Sequence, residues 1–324
     1  NLVLLAEDGG YFDDPDRGIA YKINGKTWVN NHAHVLRATP KIDVDYLFRV
    51  LQNLDLRGFV NGTTRAKLTK ANAKRIPIPL PLLSEQRQIT NKLNIADTIL
   101  YLRKQTITKL DELAHSIFDD LFGDVENNDK NWPIKKLGEL VKKLGSGATP
   151  RGGSNSYKSK GISLIRSLNV HDGVFKSKNL AFIDEVQAVK LSNVEVEKND
   201  ILLNITGASV GRVCIMLESI LPARVNQHVM IIRPKSDLNP NFLERFLLNY
   251  KVKKKLLSIS GFGATREAIT KSTMENFNII IPPIELQNEF QDKLNDIKSL
   301  KKKMLFDLNK KYELSHSLKN KLFC

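Results

Sequence analysis

Two cysteines, Cys214 and Cys324, are all that the 324 residues contain, too few for a disulfide framework and too far apart for a metal-ligand pair. No apolar run approaches the roughly 18 residues that mark a membrane span, so none is expected. The sequence shows no signal peptide, and a cytoplasmic location is the expectation. Six histidines are scattered without an HExxH pair or other metal-ligand spacing, and no GxxxxGK(S/T) phosphate loop occurs. No metal, no cofactor and no NTP hydrolysis are therefore expected. Acidic residues are also short, 35 against 50 Lys and Arg, for a net charge of +15. A chain this basic points to a polyanion, of which nucleic acid is the commonest.

What is present is repetition. GTTRAKLT at residues 62 to 69 returns as GATREAIT at 263 to 270, 201 positions later. The same offset aligns Ile78 with Ile279, Pro81 with Pro282, Gln86 with Gln287, His115-Ser116 with His316-Ser317 and Leu121-Phe122 with Leu322-Phe323. Upstream the offset becomes 196, with VNNH at 29 to 32 on VNQH at 225 to 228 and DYLFRVL at 45 to 51 on NFLERFL at 241 to 247. A loop near residues 52 to 61 must differ in length between the copies. Solenoid repeats run to about 20 to 50 residues, so a period this long is a duplicated domain. Asn1 aligns with about Asn199 while the second copy opens near Trp132. The expectation is that the first copy, residues 1 to 84, lacks its N-terminal part.

Residues 85 to 122 place Ile89, Leu93, Ala96, Leu100, Ile107, Leu110, Ala114, Ile117 and Leu121 at alternating spacings of four and three, interrupted only by Arg103. That is a heptad seam, with Ser84 the expected N-cap and Gly123 the expected stop. In residues 285 to 324 the same seam reads Phe290, Leu294, Ile297, Lys301, Met304, Leu308, Lys311, Ser315, Leu318 and Leu322. Each helix would be roughly 55 Å long. Neither can bury its stripe alone, and copies related by a twofold axis set equivalent helices antiparallel, so an antiparallel coiled coil is expected.

The remainder reads as short strands and turns. Ile201 to Ile205, Val213 to Met216 and Val229 to Ile232 are β-branched or aliphatic runs punctuated by Gly207, Gly211 and Pro222. A helix of roughly ten residues, a usual length for a globular helix, follows from Asn241, and FNIIIPP at 277 to 283 is strand-like. GDVENNDKN at 123 to 131 is a polar linker, after which Trp132-Pro133 opens the second globe. The predicted class is α+β: strand-rich domains at 1 to 84 and 132 to 284, related by a pseudo-twofold axis and separated by the two long helices.

One fragment touches catalysis. NPNF, Asn239 to Phe242, is one proline short of the Asn-Pro-Pro-aromatic motif that grips the target amino group in adenine-N6 methyltransferases. No glycine-rich turn suited to S-adenosylmethionine stands nearby, and the copy VDYLF keeps none of the motif. Asn239-Pro240 reads as a helix start, with proline in the first turn.

WPIKKLGEL (132 to 140), SGATPRGG (146 to 153), ITGASVGRV (205 to 213), VNQHVMIIRP (225 to 234) and GATREAITKSTMENFNIIIPPIELQNEF (263 to 290) follow one another in order, the last with a weaker sibling from Gly62 to Ile89. With the doubling and the helix after each copy, the chain resembles the specificity subunit of a type I restriction-modification system over essentially its whole length. The resemblance implies two target-recognition domains reading the halves of a bipartite double-stranded DNA sequence. Methylation subunits, two of them, and restriction subunits would do the chemistry, and the chain itself would catalyse nothing. A duplex is pseudo-symmetric, so a doubled reading head suits it. A coiled-coil scaffold whose basic globes bind DNA without sequence preference is the alternative.

Base edges are read by Arg on guanine and by Asn or Gln on adenine, with Ser and Thr reading either. The candidates in the second domain are Thr149 and Arg151 in the glycine-flanked loop, Arg166 and Ser167 after GISLI, and Thr206, Ser209 and Arg212 around the ITGAS turn. Asn226, Gln227, Thr265 and Arg266 complete them. In the first domain they are Asn30, Asn31, Thr64 and Arg65. Arg65 and Arg266 occupy matched positions in heads that would read different bases, which favours a phosphate contact or a structural ion pair over base reading.

Overall fold

A computed structural model of the chain describes residues 1–12, 18–62, 66–150, 152–259 and 268–323. Its contacts define two units, Asn1–Lys109 with Leu300–Cys324, and Leu110–Ser299. The first holds strands β1 (Leu2–Ala6), β2 (Ala20–Ile23) and β3 (Ala33–Leu36), helices α1 (Val44–Asn53) and α2 (Lys70–Ala73), and the start of α3 (Leu83–Phe122). The second holds β4 (Ile134–Lys136), α4 (Leu137–Leu140), β5 (Val141–Ser146), β6 (Ile162–Ile165), β7 (Val170–His171), β8 (Val174–Phe175) and β9 (Ala181–Ile183). It continues with α5 (Glu185–Lys190), β10 (Glu195–Val196), β11 (Ile201–Asn204), β12 (Val213–Ile215), β13 (Ala223–Val225), β14 (Val229–Pro234) and α6 (Pro240–Leu248). Last come α7 (Tyr250–Ile259), α8 (Lys271–Glu275), β15 (Asn278–Ile280) and α9 (Ile284–Phe323), which ends in the first unit.

The duplication is visible in strand register. In the first unit β1 lies between β2 and β3, and in the second β11 lies between β12 and β14. Val3 faces Leu36 as Ile201 faces Ile232, and Ala6 faces Ala33 as Asn204 faces Val229. The second unit extends this sheet with β5 beside β14 and adds a sheet in the order β10-β13-β6-β9. Leu164, Ile165, Val196, Val225, Val229 and Ile231 form part of one buried core there. Both units mix strands and helices, the α+β class read from the sequence.

The 40 residues of α3 make a rod of about 60 Å. Its stop is built from side chains. Gly123 takes a φ of 75°, Trp132 Nε1 donates to Phe122 O at 2.9 Å, and Lys130 Nζ donates to Asp120 O at 2.6 Å. These donors satisfy carbonyls that the helix leaves without partners. The start differs from the expectation, because Ser84 lies inside the helix, which begins at Leu83. Its capping function passes to the Glu85 carboxylate, which accepts from Leu82 N at 3.0 Å.

Within the first unit the N-terminal part of α3 packs on the C-terminal part of α9, with Leu318 and Leu322 against the cluster of Tyr46, Val50 and Leu93. Within the second unit the other ends meet: Phe118 and Phe122 of α3 lie 5.3 and 5.7 Å, between ring centroids, from Phe290 of α9. The helices are therefore antiparallel. Leu93, Leu100, Leu110 and Ala114 are buried along α3, as are Phe290, Leu294, Ile297, Met304, Leu308 and Ser315 along α9. The seam moves by one residue at the end of α3, where Phe118 and Phe122 are buried and Ile117 and Leu121 only half-buried. There the helix also meets Phe242 of α6, so a wider stripe than the seam is covered.

Each unit is tied to its own long helix by one buried glutamine. Gln86 Oε1 accepts from Asp43 N at 2.8 Å while its Nε2 donates to Pro81 O at 2.8 Å, and Gln287 repeats both bonds with Asn239 N and Pro282 O at 2.8 Å each. Asp43 and Asn239 are in turn the N-caps of α1 and α6, with Pro240 in the first turn. NPNF is thus a helix start, as its sequence indicates.

Candidate nucleic-acid interface

The turn that precedes β3 and β14 is built identically in both units. Asn30 Oδ1 accepts from His32 N, and Asn226 Oδ1 from His228 N, each at 3.1 Å. Each histidine carbonyl then takes a backbone N–H from the end of the central strand, Glu7 at 2.9 Å and Ile205 at 3.0 Å. The carbonyls of those two residues accept from Leu68 and Ile269, which brings the end of each GxTRxxxT segment to the turn. His32 Nδ1 lies 2.8 Å from Asp8 Oδ1, and His228 Nδ1 lies 2.6 Å from Thr206 Oγ1. These histidines were absent from the sequence candidates, although VNNH and VNQH contain them at matched positions. Between each Asn and His stands an exposed amide, Asn31 or Gln227.

In the second unit the loop after β5 is drawn onto this turn. Gly147 N donates to Asn226 O at 3.1 Å, and a Cβ added at Gly147 would overlap the carbonyl of Val225. Only glycine permits that approach, which sets the Thr149 hydroxyl to donate to Gln227 Oε1. Gln227 Nε2 lies 3.0 Å from His228 Nε2. Thr149, Gln227, His228 and Thr206 thus form one chain of side chains, four groups from three separate segments.

The other candidates fall into distinct surroundings. Ser209 Oγ accepts from buried Asn204 Nδ2 at 3.1 Å, leaving its own O–H to point elsewhere. Ser167 supplies its carbonyl to the same amide at 2.9 Å, and Arg212 supplies its carbonyl to Asn204 N at 2.8 Å. Arg166 is built into its own loop, its guanidinium 5.3 Å from the Tyr157 ring and its Nη2 donating to Asn179 O at 2.6 Å. Asn226 is buried and holds the turn, as does the more exposed Asn30. Thr64, Arg65, Arg151, Thr265 and Arg266 lie outside the described residues.

Among the described residues no group of three or more His, Cys, Asp or Glu side chains is placed to hold a metal ion, and no helix is long and apolar enough to cross a membrane. Burial pushes the Cys214 thiol up to about 12, so at neutral pH it is a core residue and not a thiolate.

The two units thus share an α+β plan and a turn that presents short polar side chains from matched positions. The model of the type I restriction modification DNA specificity domain matches residues 14–112 and 129–310, and the chain belongs to that family. It is 41% identical over 93 residues to a Haemophilus influenzae protein named as a type I restriction enzyme specificity subunit, a match covering 29% of this chain and 24% of that protein. It is 24% identical over 262 residues to the MjaIX specificity subunit of Methanocaldococcus jannaschii, covering 76% of this chain and 59% of that one. The chain thus spans less than two thirds of these relatives' length. The crystal structure of the type I restriction-modification system S subunit from M. genitalium shares the fold at a TM-score of 0.58 and 16% identity, over 100% of this chain and 83% of that one.

Proposed function

We propose that the chain is the DNA sequence-reading subunit of a type I restriction-modification complex, with residues 1 to 84 and 132 to 284 as heads for the two halves of a bipartite duplex target. The observation that carries this reading is the twice-built turn, in which the same bonds anchor Asn30 and His32 in one unit and Asn226 and His228 in the other, with an exposed amide between them. A shared scaffold with a different variable side chain in each copy suits two reading heads of different specificity. The chain contributes no catalytic group; methylation subunits, two per complex, and restriction subunits supply the chemistry in the cytoplasm. The exposed stripe of Ile95, Ile99 and Leu102 on α3 supports a methylation-subunit contact there, because its i, i+4, i+7 spacing makes one apolar face.

Arg65 and Arg266 are assigned a shared role, a phosphate contact or a structural ion pair, and Arg151 a guanine edge. Enrichment of a randomised duplex pool by the chain together with methylation subunits tests the function. One motif of two fixed halves is the expected product, and recovery of unenriched DNA would favour the scaffold. Gly147→Ala should displace Thr149 and lower discrimination in the half read by residues 132 to 284 by about five- to a hundredfold, the worth of one base contact, with the other half unchanged. An unaltered motif from that variant would detach the loop from recognition.

A further inference from the structure

Gln227 is exposed, yet half of its hydrogen-bonding capacity is already committed. Its Oε1 accepts the Thr149 hydroxyl, and its Nε2 faces His228 Nε2 at 3.0 Å. An amide nitrogen only donates, so His228 Nε2 is the acceptor. A neutral imidazole then carries its proton on Nδ1 and gives it to Thr206 Oγ1, 2.6 Å away. The Thr149 hydroxyl can donate or accept and the imidazole has two tautomers, so these contacts hold the amide in place, and its orientation reverses only if the protons of Thr149, His228 and Thr206 reverse with it. What remains uncommitted on Gln227 is one N–H and one carbonyl lone pair.

We propose that Gln227 reads an adenine in the half-site of residues 132 to 284, held for that purpose by Thr149, His228 and Thr206 as positioning residues. The inference rests on the sequence-reading function proposed above and names the base. Adenine offers N7 as an acceptor and N6–H as a donor on its major-groove edge, the complement of the free N–H and carbonyl. Guanine offers two acceptors there, so one of them would face the Gln227 carbonyl with no proton between. Cytosine offers only a donor and thymine only an acceptor, so each leaves one side of the amide unmatched. The orientation matters because a freely turning amide presents donor and acceptor in either order, and the ordering would then be lost from its reading.

The test is enrichment from a randomised duplex pool, followed by competition between the enriched duplex and its single-base variants, using the full chain with methylation subunits. The wild-type motif should contain an A·T pair at which Gln227→Ala lowers discrimination by about five- to a hundredfold, leaving the other positions and the melting temperature unchanged. Thr149→Val, which keeps the shape and removes the hydroxyl, should weaken discrimination at that same pair, and Thr149→Ser should restore it. Asn31→Ala, at the equivalent place in the first unit, should leave that pair untouched. Retention of every preference by Gln227→Ala, or a loss confined to a G·C pair, overturns the assignment while leaving the sequence-reading function intact. A wild-type pool with no enriched motif overturns both.

Discussion

Between roughly 50 and 200 mM salt, the affinity of the chain for duplex DNA is expected to fall about a thousandfold or more. The net charge of +15 is the cause. Each Lys or Arg that neutralises a phosphate releases condensed counterions, and for about six to ten such contacts log K falls steeply with log salt. Some lysines are committed to intramolecular pairs, Lys251 to Asp124 at 2.6 Å and Lys253 to Asp172 at 2.7 Å, and will add less to the slope than the total suggests. Fluorescence anisotropy across a salt series on one duplex measures it. An affinity unchanged across that range would remove nucleic acid as the partner. Arg266→Ala should lower the slope by about one unit on every sequence, the mark of one lost phosphate contact, or else lower the melting temperature of the domain, the mark of a lost structural ion pair.

Truncating Phe290 to alanine should destabilise the second unit by about 3–5 kcal/mol, the usual range for a buried phenylalanine. Phe290 has no exposed surface and lies 5.3 Å from Phe118 and 5.7 Å from Phe122, both near edge-on. Phe122 in turn meets Phe242 of α6 at 4.7 Å. The ring is therefore shared by α3, α6 and α9, and a cavity there loosens the seat of the domain on both long helices. Denaturant unfolding followed by hydrogen exchange would show the loss in residues 110 to 299 first. Ile89, its equivalent in the first unit, is only half-buried, and Ile89→Ala should cost less. Equal losses from the two variants would contradict the division of roles between these helix ends.

The repeat, the long helices and most of their seam are legible in the sequence, because each is a periodicity along the chain. A side chain every three or four residues must face one way on an α-helix, whatever that face later meets. Where it fails, a third partner is the reason: the end of α3 packs on α6 as well as on α9, which draws Phe118 and Phe122 inward in place of Ile117 and Leu121. The start of α3 departs from the sequence pattern because a carboxylate one residue beyond Ser84 performs the capping.

The candidate interface was legible by residue type and scarcely by arrangement. VNNH and VNQH were found as matched strings, yet the strings do not distinguish the buried Asn226, which holds the turn, from the exposed Gln227 beside it. That distinction depends on the turn before β14, in which the buried Asn226 accepts from His228 N, and on backbone bonds that the tertiary fold supplies. What the sequence by itself determined is the doubled plan, the basic charge and the two helices that close each copy, all of them properties of composition and spacing along one chain. Only the tertiary structure brought Thr149 onto Gln227, 78 positions away, and His228 onto Thr206, 22 away. Hydrogen bonds depend on distances between atoms that sequence separation does not encode, and here those distances are set by a glycine at 147 that lets two backbones touch.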